Sequence, residues 1–180
     1  MSSSMNRFLS DEAIALHKEY LRQLKLRYSV IEKSIPEIKD KDMRALCKMR
    51  LGRERDEIIS LKREIQYHEL FFSSFGVGYQ TSEAIRDKYV TEASFLYEVY
   101  LSCGNKGAEF VIVYVKSGEV RIDTVYSLLD SQSQTNPILA IDCCEHAFFL
   151  DYGFDKYAYL KRLIPYLNLS AIDKFLSYKD

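Results

Sequence analysis

Two stretches of apolar residues spaced alternately three and four apart constrain this chain more than any other feature. The first runs Ile14, His17, Leu21, Leu24, Tyr28 and Ile31, which is one face of a helix. It opens on Leu9-Ser10-Asp11-Glu12, where Ser10 is a helix N-cap and two acids occupy the first turn. Pro36 and the Asp-Lys-Asp turn after it end the pattern. A second helix is expected from about Asp42 to Phe72, with Ile58, Leu61, Ile65, His68 and Phe72 on its inward stripe. The charge run Gly-Arg-Glu-Arg-Asp-Glu-Ile-Ile-Ser-Leu-Lys-Arg-Glu in its middle reads as a solvated face.

After Ser-Ser-Phe-Gly-Val-Gly the pattern changes. Ser82 to Leu101 reads as one amphipathic helix, and the β-branched runs on either side of Lys116-Ser117-Gly118 read as a strand, a hairpin turn and a strand. Residues 137–144, PILAIDCC, form a third buried strand. The tail from Phe154 to Tyr178 returns to helical patterning with a breaker at Pro165. The fold class is therefore α+β: a long helical hairpin, then a domain with a small three-stranded antiparallel sheet and surrounding helices. The hairpin domain spans residues 1–80, with the Ser-rich residues 1–9 expected to be disordered. The α/β domain spans 81–180, and the boundary falls near 73–82.

A chain of 180 residues, 47% hydrophobic, buries one sizeable core. Its formal net charge of -1 is spread without a basic stripe, which argues against nucleic acid as a partner. No apolar run is long enough to cross a bilayer, and the first residues lack the apolar core of a secretory signal, so no membrane partner and a cytoplasmic location are expected. The four cysteines, Cys47, Cys103, Cys143 and Cys144, have neither C-x-x-C nor zinc-ribbon spacing and read as reduced thiols.

Chemistry concentrates in the three histidines. Two lie on the inward faces of the two long helices, and the third follows Asp142 in Asp-Cys-Cys-Glu-His. Each alone fits a core histidine satisfied by a carbonyl. Together, His17, His68, His146 and Asp142 offer the nitrogen and oxygen donors of a mononuclear iron, manganese or zinc centre with one position left for solvent or substrate.

The run Pro137 to Phe175, PILAIDCCEHAFFLDYGFDKYAYLKRLIPYLNLSAIDKF, resembles the C-terminal signature of the iron/manganese superoxide dismutases, in which D-x-W-E-H precedes an aromatic pair. Leu9 to His17 resembles the segment that carries the family's first metal histidine, and Ile65 to Phe72 the segment that carries the next. Gly104 to Val115 resembles its G-S-G-W strand. The resemblance covers roughly residues 9–178 and implies one Fe or Mn ion per chain held by His17, His68, Asp142 and His146, with a bound water. It further implies superoxide as substrate, dioxygen and hydrogen peroxide as products, and a homodimer in which Glu145 reaches the partner's metal histidine.

The chain also departs from that family. It has no tryptophan, and the residues at the cage positions are Phe110, Ile112 and Cys144. With His17 as first ligand, Lys25 stands at the usual active-site tyrosine and Phe149 at the second gateway tyrosine. A second register makes Tyr20 that tyrosine and replaces the first ligand by Glu12. Gln66 and Tyr126 are the candidates for the solvent-orienting glutamine. Cys144 reads either as a redox-active thiol or as a small apolar filler. Lys25 reads either as a charge that attracts an anion or as a snorkelling surface lysine. Two alternatives to dismutation follow: a different mononuclear Fe or Mn oxidoreductase on the same scaffold, and a catalytically weak metal-binding interaction protein.

Overall fold

The computed structural model describes residues 4–34, 52–76, 82–129 and 136–177. The long helices are α1 (Asp11–Ser34) and α2 (Gly52–Ser73), packed against one another. The portion of the second helix expected from Asp42 to residue 51 lies outside the described residues. Ser10 caps α1 by accepting from Ala13 N at 3.1 Å, and its own N–H donates to Asp151 Oδ2 at 2.7 Å. Ile14, His17, Leu21 and Leu24 are buried, as the spacing requires. Arg27 on α1 pairs with Glu57 in the charge run of α2, an exposed contact that leaves that face solvated.

The inward face of α2 is wider than one stripe. Tyr67 and Phe71 are fully buried beside His68, while Ile58, Ile65 and Phe72 are only half-buried. The reason is that α2 has two partners, α1 on one side and the sheet on the other.

The sheet is antiparallel, in the order β2-β1-β3, with β1 (Phe110–Lys116), β2 (Glu119–Val125) and β3 (Pro137–Asp142). Ser117 and Gly118, with φ of 54° and 78°, make the two-residue hairpin between β1 and β2, where consecutive positive φ values match the twist of the strands. Register divides the faces. Val111, Val113, Leu139 and Ile141 join the main core, whereas Phe110, Ile112, Tyr114, Val125 and Ala140 pack with Tyr67 of α2. Asp142 is two residues beyond Ala140 and opposite Phe110, so its side chain shares the face covered by α2.

The segment expected as one helix from Ser82 to Leu101 is two: α3 (Glu83–Lys88) and α4 (Glu92–Gly104). Tyr89 turns extended after α3, and Thr91 starts α4 by accepting from Ser94 N, so a β-branched capping residue divides the pattern. The C-terminal tail forms α5 (Phe149–Tyr152), α6 (Lys156–Leu163), a 3₁₀ turn at Ile164–Tyr166 that contains the breaker Pro165, and α7 (Ser170–Ser177).

The expectation of disorder over residues 1–9 fails for the described part. Ser4–Arg7 is a 3₁₀ turn, and Met5, Phe8 and Leu9 are buried at 1%, 3% and 3% exposure. Phe8 lies 4.8 Å from the ring of Phe75, and its carbonyl accepts from the Tyr152 hydroxyl. The apolar residues hidden in the Ser-rich segment gain more by burial than the polar ones lose by ordering.

Ser74 fixes the end of α2 to the sheet. Its buried hydroxyl donates to Leu70 O at 2.8 Å and accepts from Ala140 N at 2.9 Å, which also satisfies the outer edge of β3. Replacing Ser74 by Ala leaves the Ala140 N–H buried without a partner. The expected loss is about 1–3 kcal/mol in urea unfolding, against less than about 0.5 kcal/mol for Ser73→Ala on the exposed side.

Candidate metal centre

Four elements deliver four side chains to one point: His17 from α1, His68 from α2, Asp142 from the end of β3 and His146 from the 3₁₀ turn Glu145–Ala147 that follows. One ligand atom from each lies within 4.8 Å of the others. Around Asp142 Oδ2, the Nε2 atoms of His146, His17 and His68 stand at 2.9, 3.1 and 3.2 Å, and the Nε2 atoms of His68 and His146 are 3.0 Å apart. Metal–ligand bonds of about 2.1 Å at right angles put neighbouring ligand atoms about 3.0 Å apart. The spacing is that of a first coordination sphere.

Hydrogen bonding points the same way. Asp142 Oδ2 and both nitrogens of His17 are buried, and none has a partner of acceptable hydrogen-bond geometry. A buried carboxylate oxygen facing three imidazole nitrogens without hydrogen bonds is costly unless a cation compensates it. The rest of the group is already oriented. Asp142 Oδ1 accepts from Cys144 N at 2.8 Å, the Asp142 carbonyl accepts from the buried Tyr159 hydroxyl at 3.1 Å, and His68 Nδ1 meets the Glu64 carbonyl at 2.7 Å. With the proton of His68 on Nδ1, its Nε2 presents a lone pair to the centre.

Burial acts to raise the Asp142 carboxyl, but the close imidazoles of His146, His17 and His68 outweigh it and hold the group well below the usual carboxylate range. His17 is lowered because burial outweighs the pull of Asp142. For His68 burial also opposes the charged form, yet Asp142 and the Glu64 carbonyl win and raise it. The aspartate is therefore ionised at neutral pH, and His17 is neutral, as ligation requires.

Aromatic rings enclose the group. Phe71 and Phe72 each lie 5.0 Å from the ring of His17, and Phe110 meets His68 edge-on at 5.2 Å. Phe110 and Ile112, at two of the cage positions, are buried. Cys144, at the third, is partly buried; burial and then Asp142 push its thiol up, so it is a neutral thiol whose sulfur faces the Glu109 carbonyl at 3.5 Å. The other sequence candidates lie away from the group. Lys25 is half-exposed and paired with Glu69 at 2.6 Å. Phe149 is 49% exposed, its ring against Phe154. Glu145, Glu12 and Gln66 are exposed, and Tyr126 is half-exposed. Gln66, two residues from His68, points to the opposite side of α2.

Sequence reasoning missed Glu64, and it offered Tyr20 only as the active-site tyrosine of a register with Glu12 as first ligand, whereas the structure brings both His17 and Tyr20 to the group and leaves Glu12 exposed. The Tyr20 ring stacks on His146 at 4.3 Å and lies 5.4 Å from that of His68, and its hydroxyl donates to Glu64 Oε1 at 2.7 Å. Burial and then Glu64 raise the Tyr20 phenol, keeping it a hydrogen-bond donor. The signal was helical spacing: Tyr20 is three residues after His17, and Glu64 four before His68.

A cation that binds this group and not the unfolded chain must stabilise the fold by mass action. Manganese(II) at a hundredfold excess over its dissociation constant is expected to add about 2.7 kcal/mol, or about 5–10 °C in Tm for a chain of this size. Thermal melts with and without the ion check this, and Asp142→Ala is expected to abolish the increment.

The model for the iron/manganese superoxide dismutases, C-terminal domain, matches residues 78–175, more than half of the chain. That span contains the three-stranded sheet, Asp142 and His146, while α1 and α2 supply the remaining two histidines of the group. No curated protein matches the chain at a significant level. The sheet, the Asp142–His146 segment and the match across them lead to one conclusion: this chain belongs to the iron/manganese superoxide dismutase family.

Proposed function

We propose that this protein is a metal-dependent superoxide dismutase, with one iron or manganese ion per chain held by His17, His68, Asp142 and His146. The observation that carries the reading is the convergence of three imidazole Nε2 atoms on a buried carboxylate oxygen that has no hydrogen bond. An ion held by these four residues would supply the one-electron couple that dismutation needs, in which two superoxides and two protons give dioxygen and hydrogen peroxide.

The residues of the chain set the conditions for that cycle. As ligands, three imidazole lone pairs and one carboxylate would contribute a single negative charge, so an iron or manganese ion held there would stay cationic and attractive to a small anion. His17 and His68 have fully buried side chains, whereas that of His146 is 29% exposed, so His146 marks the open side of the centre. Phe71, Phe72 and Phe110 keep bulk water from the opposite side.

One observation favours the second reading, a different Fe or Mn oxidoreductase on this scaffold. The two positions where the family resemblance expects phenols carry Lys25, engaged with Glu69, and the half-exposed ring of Phe149. Neither offers a hydroxyl to the centre. Superoxide decay per quantified bound ion separates the readings. Dismutation predicts a fast, metal-dependent rate that drops on the order of a hundredfold or more in Asp142→Ala with far-UV circular dichroism unchanged. A negligible rate at full occupancy assigns another redox substrate.

The family resemblance also supports a homodimer bridged by Glu145. Glu145 is exposed next to His146 in sequence, and Phe149 and Leu150 on α5, Phe154 between α5 and α6, and Tyr157 on α6 are 49%, 47%, 81% and 57% exposed. Apolar exposure on that scale fits a surface covered in the dimer. Sedimentation at micromolar concentration is expected to give a dimer, and Phe154→Glu a monomer. A monomeric wild type removes the Glu145 bridge. No described helix is long and apolar enough to cross a membrane, which is compatible with the cytoplasmic location proposed from sequence.

A further inference from the structure

Of the three histidines, His146 has the weakest support from its own surroundings. His17 and His68 stand on long helices with fully buried side chains, wedged by Phe71, Phe72 and Phe110. His146 stands on a three-residue 3₁₀ turn with 29% of its side chain exposed, and its polar contacts among the described residues are made by Nε2 alone. Within its own chain, an imidazole in that position is kept from rotating about its side-chain bonds by what lies against its ring.

The Tyr20 ring does so, at 4.3 Å between centroids and 29° between planes. Tyr20 is in turn tied by its hydroxyl to Glu64 Oε1 at 2.7 Å, while the carbonyl of the same Glu64 meets His68 Nδ1 at 2.7 Å. One residue of α2 thus touches His68 directly and His146 through the tyrosine of α1. We infer that Tyr20 and Glu64 form a clamp that fixes the imidazole plane of His146 relative to His68, which makes Tyr20 a positioning residue of the metal centre. This inference rests on the metal-binding reading of the group given above.

The clamp divides into two functions that substitutions can separate. Tyr20→Ala removes the stacking surface. Tyr20→Phe keeps the ring and cuts its tether, as does Glu64→Ala from the other side. Glu64→Gln retains a carbonyl oxygen that accepts from the phenol, and it leaves the main-chain carbonyl to His68.

The test uses the full-length chain and two readouts. In the first, manganese(II) affinity and the electron paramagnetic resonance spectrum of the bound ion are measured. Tyr20→Ala is expected to bind about 10–100-fold more weakly with an altered spectrum, Tyr20→Phe and Glu64→Ala to fall between it and wild type, and Glu64→Gln to restore both properties. In the second, the ring-proton resonances of His146 are followed by NMR with no metal added. They are expected to shift in Tyr20→Ala and Glu64→Ala and to return in Glu64→Gln. Wild-type affinity and spectrum in Tyr20→Ala overturn the clamp, and so do unmoved His146 resonances in Glu64→Ala. Because the NMR readout needs no ion, a chain that takes up no manganese or iron overturns the metal reading and leaves the His146 resonances to decide the clamp.

Discussion

The structure is organised around one buried charge. Asp142 has no exposed side-chain surface, lies at the end of a strand and carries its carboxylate ionised. Isolated, such a group costs several kcal/mol on removal from water. Oδ1 is satisfied by the Cys144 N–H, but Oδ2 has no hydrogen bond of acceptable geometry and faces imidazole nitrogens on α1, on α2 and on the turn after β3. Each of those nitrogens arrives from a separate piece of the chain. A fold that brings them together merely to solvate a carboxylate would have left fewer donors and better hydrogen bonds.

The remaining architecture follows from holding that point still. Antiparallel register puts Asp142 opposite Phe110 and on the face of Ala140, so the sheet aims the carboxylate at α2 rather than at the main core. The hydroxyl of Ser74 closes the outer edge of β3 two residues before Asp142 and ties it to the end of α2, which fixes the height of His68 above the strand. From the other side, Tyr159 on α6 donates to the Asp142 carbonyl. The strand end is thus held by helices on both of its faces, and rigid supports of this kind keep ligand positions within the tolerance that a metal demands.

The parts legible in the sequence were those governed by a period. Ile14, His17, Leu21 and Leu24 were readable as a buried face because α1 has a clear inside and outside, and the sheet was readable because β-branched runs flank Ser117-Gly118. Tyr67 and Phe71 were not read as core, because a single-stripe reading assumes one partner and α2 has two. Met5, Phe8 and Leu9 were hidden by the serines around them, and the break before Thr91 was hidden by continuous amphipathic spacing. At the site, His17, His68, Asp142 and His146 stood out because histidine is scarce here and two of the three fall on inward faces. Glu64 did not, and Tyr20 entered only through a second register: helical spacing puts them near His17 and His68, but their contact with each other depends on how far α1 and α2 are rotated about their own axes.

The substitutions around the centre then acquire a physical meaning. Where the family resemblance leads to tryptophans and phenols, this chain has Phe110, Ile112, a neutral Cys144 and the exposed Phe149. The buried Phe110 and Ile112 exclude water, and the hydrocarbon side chains at these positions carry no hydrogen-bonding groups. Among the described residues, the polar neighbours on the helix side are Glu64 and Tyr20, bonded to each other across the two long helices, and on the strand side the Cys144 N–H and the Tyr159 hydroxyl, both on Asp142. Hydrogen bonds to ligands and to coordinated solvent set the basicity of the ligands and the potential of the ion. In the proposed metal site, the Tyr20–Glu64 pair therefore places part of that tuning at the α1–α2 interface, alongside the Cys144 N–H and the Tyr159 hydroxyl that act on Asp142. The helical pair therefore acts as more than a scaffold for two histidines: a small rotation of α1 against α2 would move Tyr20 over His146 and change the centre without disturbing the strand that carries Asp142.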